Sequence, residues 1–431
     1  MSLPERSYFD QIYEEIIIPF FQKIEDRRDQ NQSYTLLDSL KSGFAIYSLK
    51  SPSLLSFRKQ SKAETSNLKT IYKIDSIPSD NGLRKILDNV CPMELQKIFF
   101  ELYNYLGAKE ILKKHHYWNN HLIISIDGVE HFCSKQVSCK RCMKRKHRDG
   151  SISNYHSMLS AAMVHPDKKE VFILDNEPII QQDGAQKNDC ERNAVKRLFN
   201  RFNSLYNNEL MIYTFDALYA CAPIVSMLQS NENWRYIIGI KEQGNKHLFK
   251  QFDQKNSKGK VNWHTVYKKG VKHEFGYIND VELNASSPET KVNILYYIER
   301  DKNGNEQVFS WITNIKLSKQ NVFKIMKIGR SRWKIENETF NTLKNQGYNF
   351  SHNFGHGENN LCTVFAFLMM TAFYVDQIQQ YCCSYFKQVL RVLKTRVKLW
   401  ESMRAVFKIL PCKNMTSLLI KVAEMYQIRL I

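Results

Sequence analysis

Apolar residues recur at three- and four-residue intervals from near the start of the chain. Tyr8-Phe9, Ile12-Tyr13 and Ile16-Ile17 mark one face of an amphipathic helix. Residues 35–49 predict a second helix, closed by Ser51-Pro52, and Ser79-Asp80 caps a segment holding Leu83, Ile86 and Leu87. Residues 1–115 therefore read as a helical N-terminal region. From His121 the period changes. Residues 121–126 form a short apolar, β-rich run ending at Asp127-Gly128, 155–164 a second strand and 170–174 a third. A helix is expected over 190–202, with Ala194, Leu198 and Phe202 on its apolar face. A strand over 210–215 then ends at Asp216, followed by a helix over 220–228 and a strand over 234–240. Three strands in succession, then alternating helix and strand, predict an α/β fold with a mixed sheet and helices packed on it.

Residues 245–325 form a β-rich block. Strands are expected over 261–267, 274–281, 292–300 and 307–315, with a hairpin at Asp301-Lys302-Asn303-Gly304-Asn305. A helix follows over 326–360, and 361–431 is a helical C-terminal region. Its apolar run, 361–375, is ended by Asp376. That run is too short for a membrane span and reads as a buried helix. The five segments are thus 1–115, 116–244, 245–325, 326–360 and 361–431.

The composition narrows the class. With 43% hydrophobic and 12% aromatic residues, the 431-residue chain can fill a core and is not a disordered protein. A formal net charge of +19 suits a polyanionic partner, nucleic acid before an acidic membrane surface. The opening Met1 to Arg6 is unlike a charged-then-apolar leader. Most of the ten cysteines stand singly in apolar contexts, against a disulfide framework and in favour of a reducing cytoplasm. The basic helices of 1–115 are the expected DNA-binding part. An ordinary helical subdomain fits the same pattern.

Candidate chemistry starts at Arg332, Glu336, Phe340 and Lys344, which recur every fourth residue and share one helix face. The row sets a carboxylate one turn from a guanidinium and two from an ammonium. It is either an exposed salt-bridged helix or a metal- and phosphate-holding face. Asp127 and Asp216 each close an apolar strand, where active sites of such sheets are built, although a strand-end Asp is also an ordinary turn former. Three carboxylates from separate elements repel unless a cation sits among them, and oxygen-only ligands select Mg²⁺ or Mn²⁺. Two such ions ~3.5–4 Å apart activate a water or 3′-hydroxyl in phosphodiester chemistry. A second motif, Cys139-Lys140-Arg141-Cys142, has Cys133 before it and His147 after it. Cys139, Cys142, His147 and Cys190, with Cys133 as alternative, suit a structural Zn²⁺. A metal-free basic loop and a redox pair are the other readings. Asp189, Glu191 and Glu177 read as caps or surface charges, and His121, His131 and His156 as candidate ligands or as structural or exposed histidines.

Ile126-Asp127-Gly128, Phe215-Asp216-Ala217, Arg332-Trp333-Lys334-Ile335-Glu336 and the segment His352 to Gly357 together resemble the DDE transposases of bacterial insertion sequences. The similarity is strongest to the insertion-sequence-four-like group, with its β insertion before the last acid, and covers about 121–380. The resemblance implies a ribonuclease H-like catalytic core in segments 116–244 and 326–360. It implies Asp127, Asp216 and Glu336 as the metal-holding catalytic acids, and Arg332, Trp333 and Lys344 as DNA or phosphate contacts. The implied activity is metal-dependent cleavage of element ends and 3′-hydroxyl strand transfer into target DNA. The implied partners are double-stranded terminal inverted repeats and target DNA, bound by a homodimer, with no membrane. A nuclease of the same fold without strand transfer, and a non-catalytic DNA-binding protein, are the alternatives. Two positions depart from the family pattern. Gly329 stands where a Tyr precedes the Arg, and Leu343 where a Lys follows the Glu.

Overall fold

The computed structural model describes residues 6–29, 32–63, 66–181 and 188–430. The opening residues 1–5, read above as no leader, lie outside it. Ten strands form one sheet: β1 Leu122–Ser134, β2 Met143–Lys146, β3 Ile152–Val164, β4 Phe172–Ile179, β5 Met211–Phe215, β6 Trp234–Gly239, β7 Asn262–Lys268, β8 Val271–Asn284, β9 Ser287–Arg300 and β10 Glu306–Thr313. Their order is β2-β3-β1-β5-β6-β10-β9-β8-β7, with β4 also paired to β3. Within it, β4, β3 and β1 are antiparallel, while β1, β5 and β6 are parallel. This mixed core, flanked by helical N- and C-terminal regions, is the ribonuclease H-like arrangement.

Several boundaries differ from the sequence reading, each for a pairing reason. β1 does not end at Asp127-Gly128. Its parallel pairing with β5 stops at Ser125↔Thr214, but its antiparallel pairing with β3 continues to Ser134↔Asn154. The basic stretch after Cys139 contains β2, a short strand held on the β3 edge, and β4 runs on to Ile179. The β-rich block is continuous with the core sheet, because β10 pairs with β6. The block is not all β: it opens with a helix, Lys246–Ser257, whose buried Leu248 and Phe252 are too few among Lys, Gln and Asn to signal it.

The helix Leu361–Cys382 passes through the centre of the molecule. It is 22 residues long, with a mean hydropathy of 1.6 over its most apolar stretch, and that stretch is wholly buried. Asp376 does not end it. The Lys50 ammonium pairs with the Asp376 carboxylate, which also accepts a 2.5 Å hydrogen bond from Tyr348 Oη. The ammonium further lies 3.8 Å from the Trp400 ring centroid. Asp88 caps the helix start, accepting from the backbone N–H groups of Asn360 and Leu361, both at 2.8 Å. Helix Leu36–Ser48 packs closely on it at Gly43, where a Cβ would lie 2.7 Å from Leu368 Cδ1. Asp10 accepts from Met415 N at 2.8 Å and Thr416 N at 3.2 Å, so the first helix caps the last. The N- and C-terminal helices therefore share one core.

Breaking a buried ion pair from one side leaves an uncompensated charge. Lys50→Met is expected to lower unfolding free energy by about 3–5 kcal/mol in urea titrations, with a good part recovered in Lys50→Met/Asp376→Leu. Equal losses in the single and double variants would show that the pair is not what holds this contact.

Candidate functional site

Strand parity brings the first two acids together. Ser125 and Thr214 are register partners on neighbouring parallel strands, and their hydroxyls are 2.8 Å apart, so both point to one face. Side chains alternate along a strand, so Asp127 and Asp216, two residues further on, emerge on that same face. The Asp127 carboxylate accepts from Gly128 N at 2.9 Å, and that of Asp216 from Leu218 N at 2.9 Å. The second bond caps the short 3₁₀ turn Ala217–Tyr219 and holds Asp216 at the end of β5.

Glu336 arrives from a different element. Helix Val322–Ser331 is followed by a π-helical turn, Ile335–Phe340, in which Asn341 N donates to Glu336 O. Such i→i+5 turns often mark functional sites. Arg332 spans the gap: Nη1 lies 3.1 Å from Asp127 Oδ2 and Nη2 lies 2.6 Å from Glu336 Oε1. The four-residue row does not persist as a single exposed face. Phe340 is buried, and Lys344 is exposed with no ion pair among the described residues. The wide turn shifts the register after Glu336.

The electrostatics are those of crowded carboxylates. Asp127 is pushed up to about 7, chiefly by burial and further by the charges on Glu336 and Asp216, while Arg332 and Gly128 N–H pull it back. Burial would lower the Arg332 guanidinium, but the Glu336 hydrogen bond and the three acids more than offset this and raise it. A cavity of about 310 Å³ opens here, lined by Asp216, Lys241, Trp311 and Arg332 among others. Trp311 explains Gly329. A Cβ at that position would meet the indole at 2.7 Å, so an aromatic ring from β10 occupies the space beside it. Leu343 is fully buried, so that position offers no cation to the site.

A fourth acid, Glu191, expected as a cap or surface charge, stands beside these groups. Glu191 Oε2 accepts from Tyr219 Oη at 2.8 Å, and its carboxylate covers Gly128, where a Cβ would come within 2.2 Å of Oε1. Its signal was its place one residue inside a helix that follows the core strands. Asp189 and Glu177 are instead taken up by arginines. Arg197 reaches Glu177 at 2.5 Å and Asp189 at 2.6 Å, and Arg201 reaches Glu177 at 2.5 Å, tying that helix to β4.

Trp333 is 44% exposed and borders a cavity of about 580 Å³, whose rim includes Lys268, Lys269, Lys327 and Arg330. Lys327 is paired with Asp167 and Arg330 with Glu299, which leaves the exposed Lys268 and Lys269 as its least engaged cations. Lys334 is held inward, donating to His165 O at 2.6 Å.

The cysteine motif gathers a different set of partners from the one expected. Cys139 and Cys142 meet His156 of β3 and His356 of the segment after the Glu336 turn. His147 is turned away to Ser153, with Nε2 and Oγ 2.9 Å apart. Cys190 is exposed at a helix N-terminus, and Cys133 is exposed on β1. Neither joins the cluster, because alternation along β1 and the position of the helix start point them elsewhere. All ten cysteines are free.

A family model described as a transposase DDE domain matches residues 129–373, more than half of the chain. The match opens just past Asp127 and includes Asp216, Arg332 and Glu336. No curated protein matches the chain.

Folding raises the Asp127 carboxyl above the ordinary carboxylate range, so the fold favours its protonated form. Its contribution to stability is full below ordinary carboxylate values and is lost as pH rises through about 7. In metal-free protein, carboxyl ¹³C NMR is expected to give a midpoint near that value, assigned by its loss in Asp127→Asn. Arg332→Gln should move the midpoint up, and Glu336→Gln should move it down. Shifts of the opposite sign would contradict the charge arrangement.

Proposed function

The chain belongs to the DDE transposase family, and we propose that it cleaves the ends of a DNA element and joins the freed 3′-hydroxyls to target DNA. The observation that carries this reading is Arg332, bridging Asp127 and Glu336 beside Asp216. Membership of the insertion-sequence-four-like group rests on the motif resemblance.

The donor set fits a hard divalent cation. Asp127, Asp216 and Glu336 offer only carboxylate oxygens, and burial, with a smaller part from the two neighbouring acids, raises Asp127, so positive charge among them is favourable. These three residues would hold Mg²⁺ or Mn²⁺. When bound, such ions supply activation of the attacking hydroxyl and stabilisation of the leaving oxygen. The protein supplies positioning. β1 and β5 fix two acids on one face, and the π turn delivers the third. Arg332 orients both carboxylates and has further N–H groups for a phosphate near the scissile bond. Trp333, Lys268 and Lys269 would receive the duplex along the basic cavity beside that helix, with Lys344 as a separate exposed phosphate contact. Two element ends must be held together for joining, so a DNA-bound homodimer is the assembly. Ten free thiols suit a reducing cytoplasm.

With Mg²⁺ and DNA carrying the terminal repeats, the expected result is a joined strand-transfer product. Cleaved product alone would indicate a nuclease, and neither product a DNA-binding protein. Glu336→Gln is expected to abolish cleavage yet keep salt-sensitive DNA binding. Cleavage at near wild-type rate would remove Glu336 from the site.

Lys268→Ala/Lys269→Ala is expected to weaken DNA binding uniformly across sequences. It should flatten the slope of log K against log salt by about 1.8, at ~0.9 for each lost phosphate contact. An unchanged slope would place the duplex elsewhere.

A further inference from the structure

Away from the carboxylates, two thiols and two imidazoles converge from three parts of the chain. Cys139 and Cys142 belong to the turn between β1 and β2, His156 to β3, and His356 to the segment joining the Glu336 turn to the buried helix. Cys139 Sγ lies 3.7 Å from Cys142 Sγ and 3.3 Å from His156 Nε2, while Cys142 Sγ lies 3.3 Å from His356 Nε2. One ligand atom from each residue falls within 4.8 Å of every other. A tetrahedral zinc with bonds of about 2.3 Å to sulfur and 2.0–2.1 Å to nitrogen has S···S edges of ~3.8 Å and S···N edges of ~3.6 Å. These three separations lie within a few tenths of an ångström of those edges, and the other three pairs are within 4.8 Å.

The surroundings point the same way. Cys142, His156 and His356 are buried, at 1%, 2% and 7% exposure. Nδ1 of His156 and of His356 has no hydrogen-bond partner, so each ring has only a thiol for polar company. An ion at the centre would take both sulfurs and the inward Nε2 of each ring, leaving each outward Nδ1 to carry the ring proton. Residues 135–138 and 140–141 of the turn are exposed, and Cys142 and Met143 at its end are buried. At 3.7 Å the two sulfurs are not bonded to each other. A neighbouring group, His131, His156 and Cys362, offers three ligands and must share His156. The set with two cysteines is the complete one.

We propose that Cys139, Cys142, His156 and His356 bind one structural Zn²⁺. Two sulfur and two nitrogen donors in a tetrahedron select zinc, and four protein ligands leave no open position, so the site does not perform catalysis. Its place in the fold gives it a purpose. His156 neighbours Phe132 in the β1–β3 register, and Asp127 faces Ser160, four residues further along β3 and so roughly 13 Å away. The ion would fasten the far end of the hairpin bearing Asp127 to the segment that follows Glu336.

Full-length protein purified without chelator is expected to contain about one zinc per chain. Its zinc-edge X-ray absorption should show two sulfurs at about 2.3 Å and two nitrogens at about 2.0–2.1 Å. Cobalt-exchanged protein should show the visible bands of a tetrahedral thiolate site. Cys139→Ser/Cys142→Ser and His356→Gln should each lose the metal, whereas His147→Gln, Cys133→Ser and Cys190→Ser should retain it. Absence of zinc, a shell with a single sulfur, or retention in the double cysteine variant would overturn the proposal. So would a Cys139–Cys142 disulfide in the intact mass. The absorption and cobalt measurements use the unaltered chain and do not depend on any variant folding.

Discussion

Burial of the helix Leu361–Cys382 is the constraint on which the rest of the molecule depends. A helix apolar on nearly every side must be covered on every side, and no single neighbour is large enough. Helix Leu36–Ser48 covers it from the N-terminal region, β4 from the sheet, and helix Ser384–Leu393 from the C-terminal region. The few polar groups on these surfaces must then be satisfied internally. Lys50 meets Asp376, and Asp88 meets the free backbone N–H groups at the helix start. Regions far apart in the chain are thereby held against one core.

That rigidity matters because the candidate site brings like charges together. Asp127, Asp216 and Glu336 come from two strands and a π turn, and nothing local attracts one to another. Parity and register hold the first two on one face. The third is tied by Arg332, the cation shared between Asp127 and Glu336. Burial, with a smaller part from the two other acids, raises Asp127 and makes the cluster receptive to a divalent cation.

The proposed zinc at the Cys–His cluster would complement this arrangement mechanically. β1 runs past Asp127 into a hairpin whose far turn is polar and exposed, and apolar contacts alone do not anchor it. His356 comes from the segment that leads from the Glu336 turn into the buried helix. A cross-link there would join the hairpin, the last acid's element and the central helix.

Much was legible in the chain alone. The switch from three-four spacing to short β-rich runs located the core strands and the helices between them, because backbone geometry imposes those periods on any buried face. Asp127, Asp216 and the Arg332–Glu336 spacing were also visible, since each is a local feature. Other features depended on neighbours distant in sequence. The extension of β1 beyond Asp127 exists because β3 pairs with it, and the continuity of the β-rich block with the core exists because β10 finds β6. The helix runs on past Asp376, whose buried carboxylate is paired by Lys50 from a distant segment. The same holds for the cysteines. Spacing identified the Cys139–Cys142 pair, but its partners His156 and His356 are chosen by strand register and by where the chain returns after Glu336. Sequence determines what each segment is able to form. Which side chains from distant segments meet is decided only when the sheet closes its register around the buried helix.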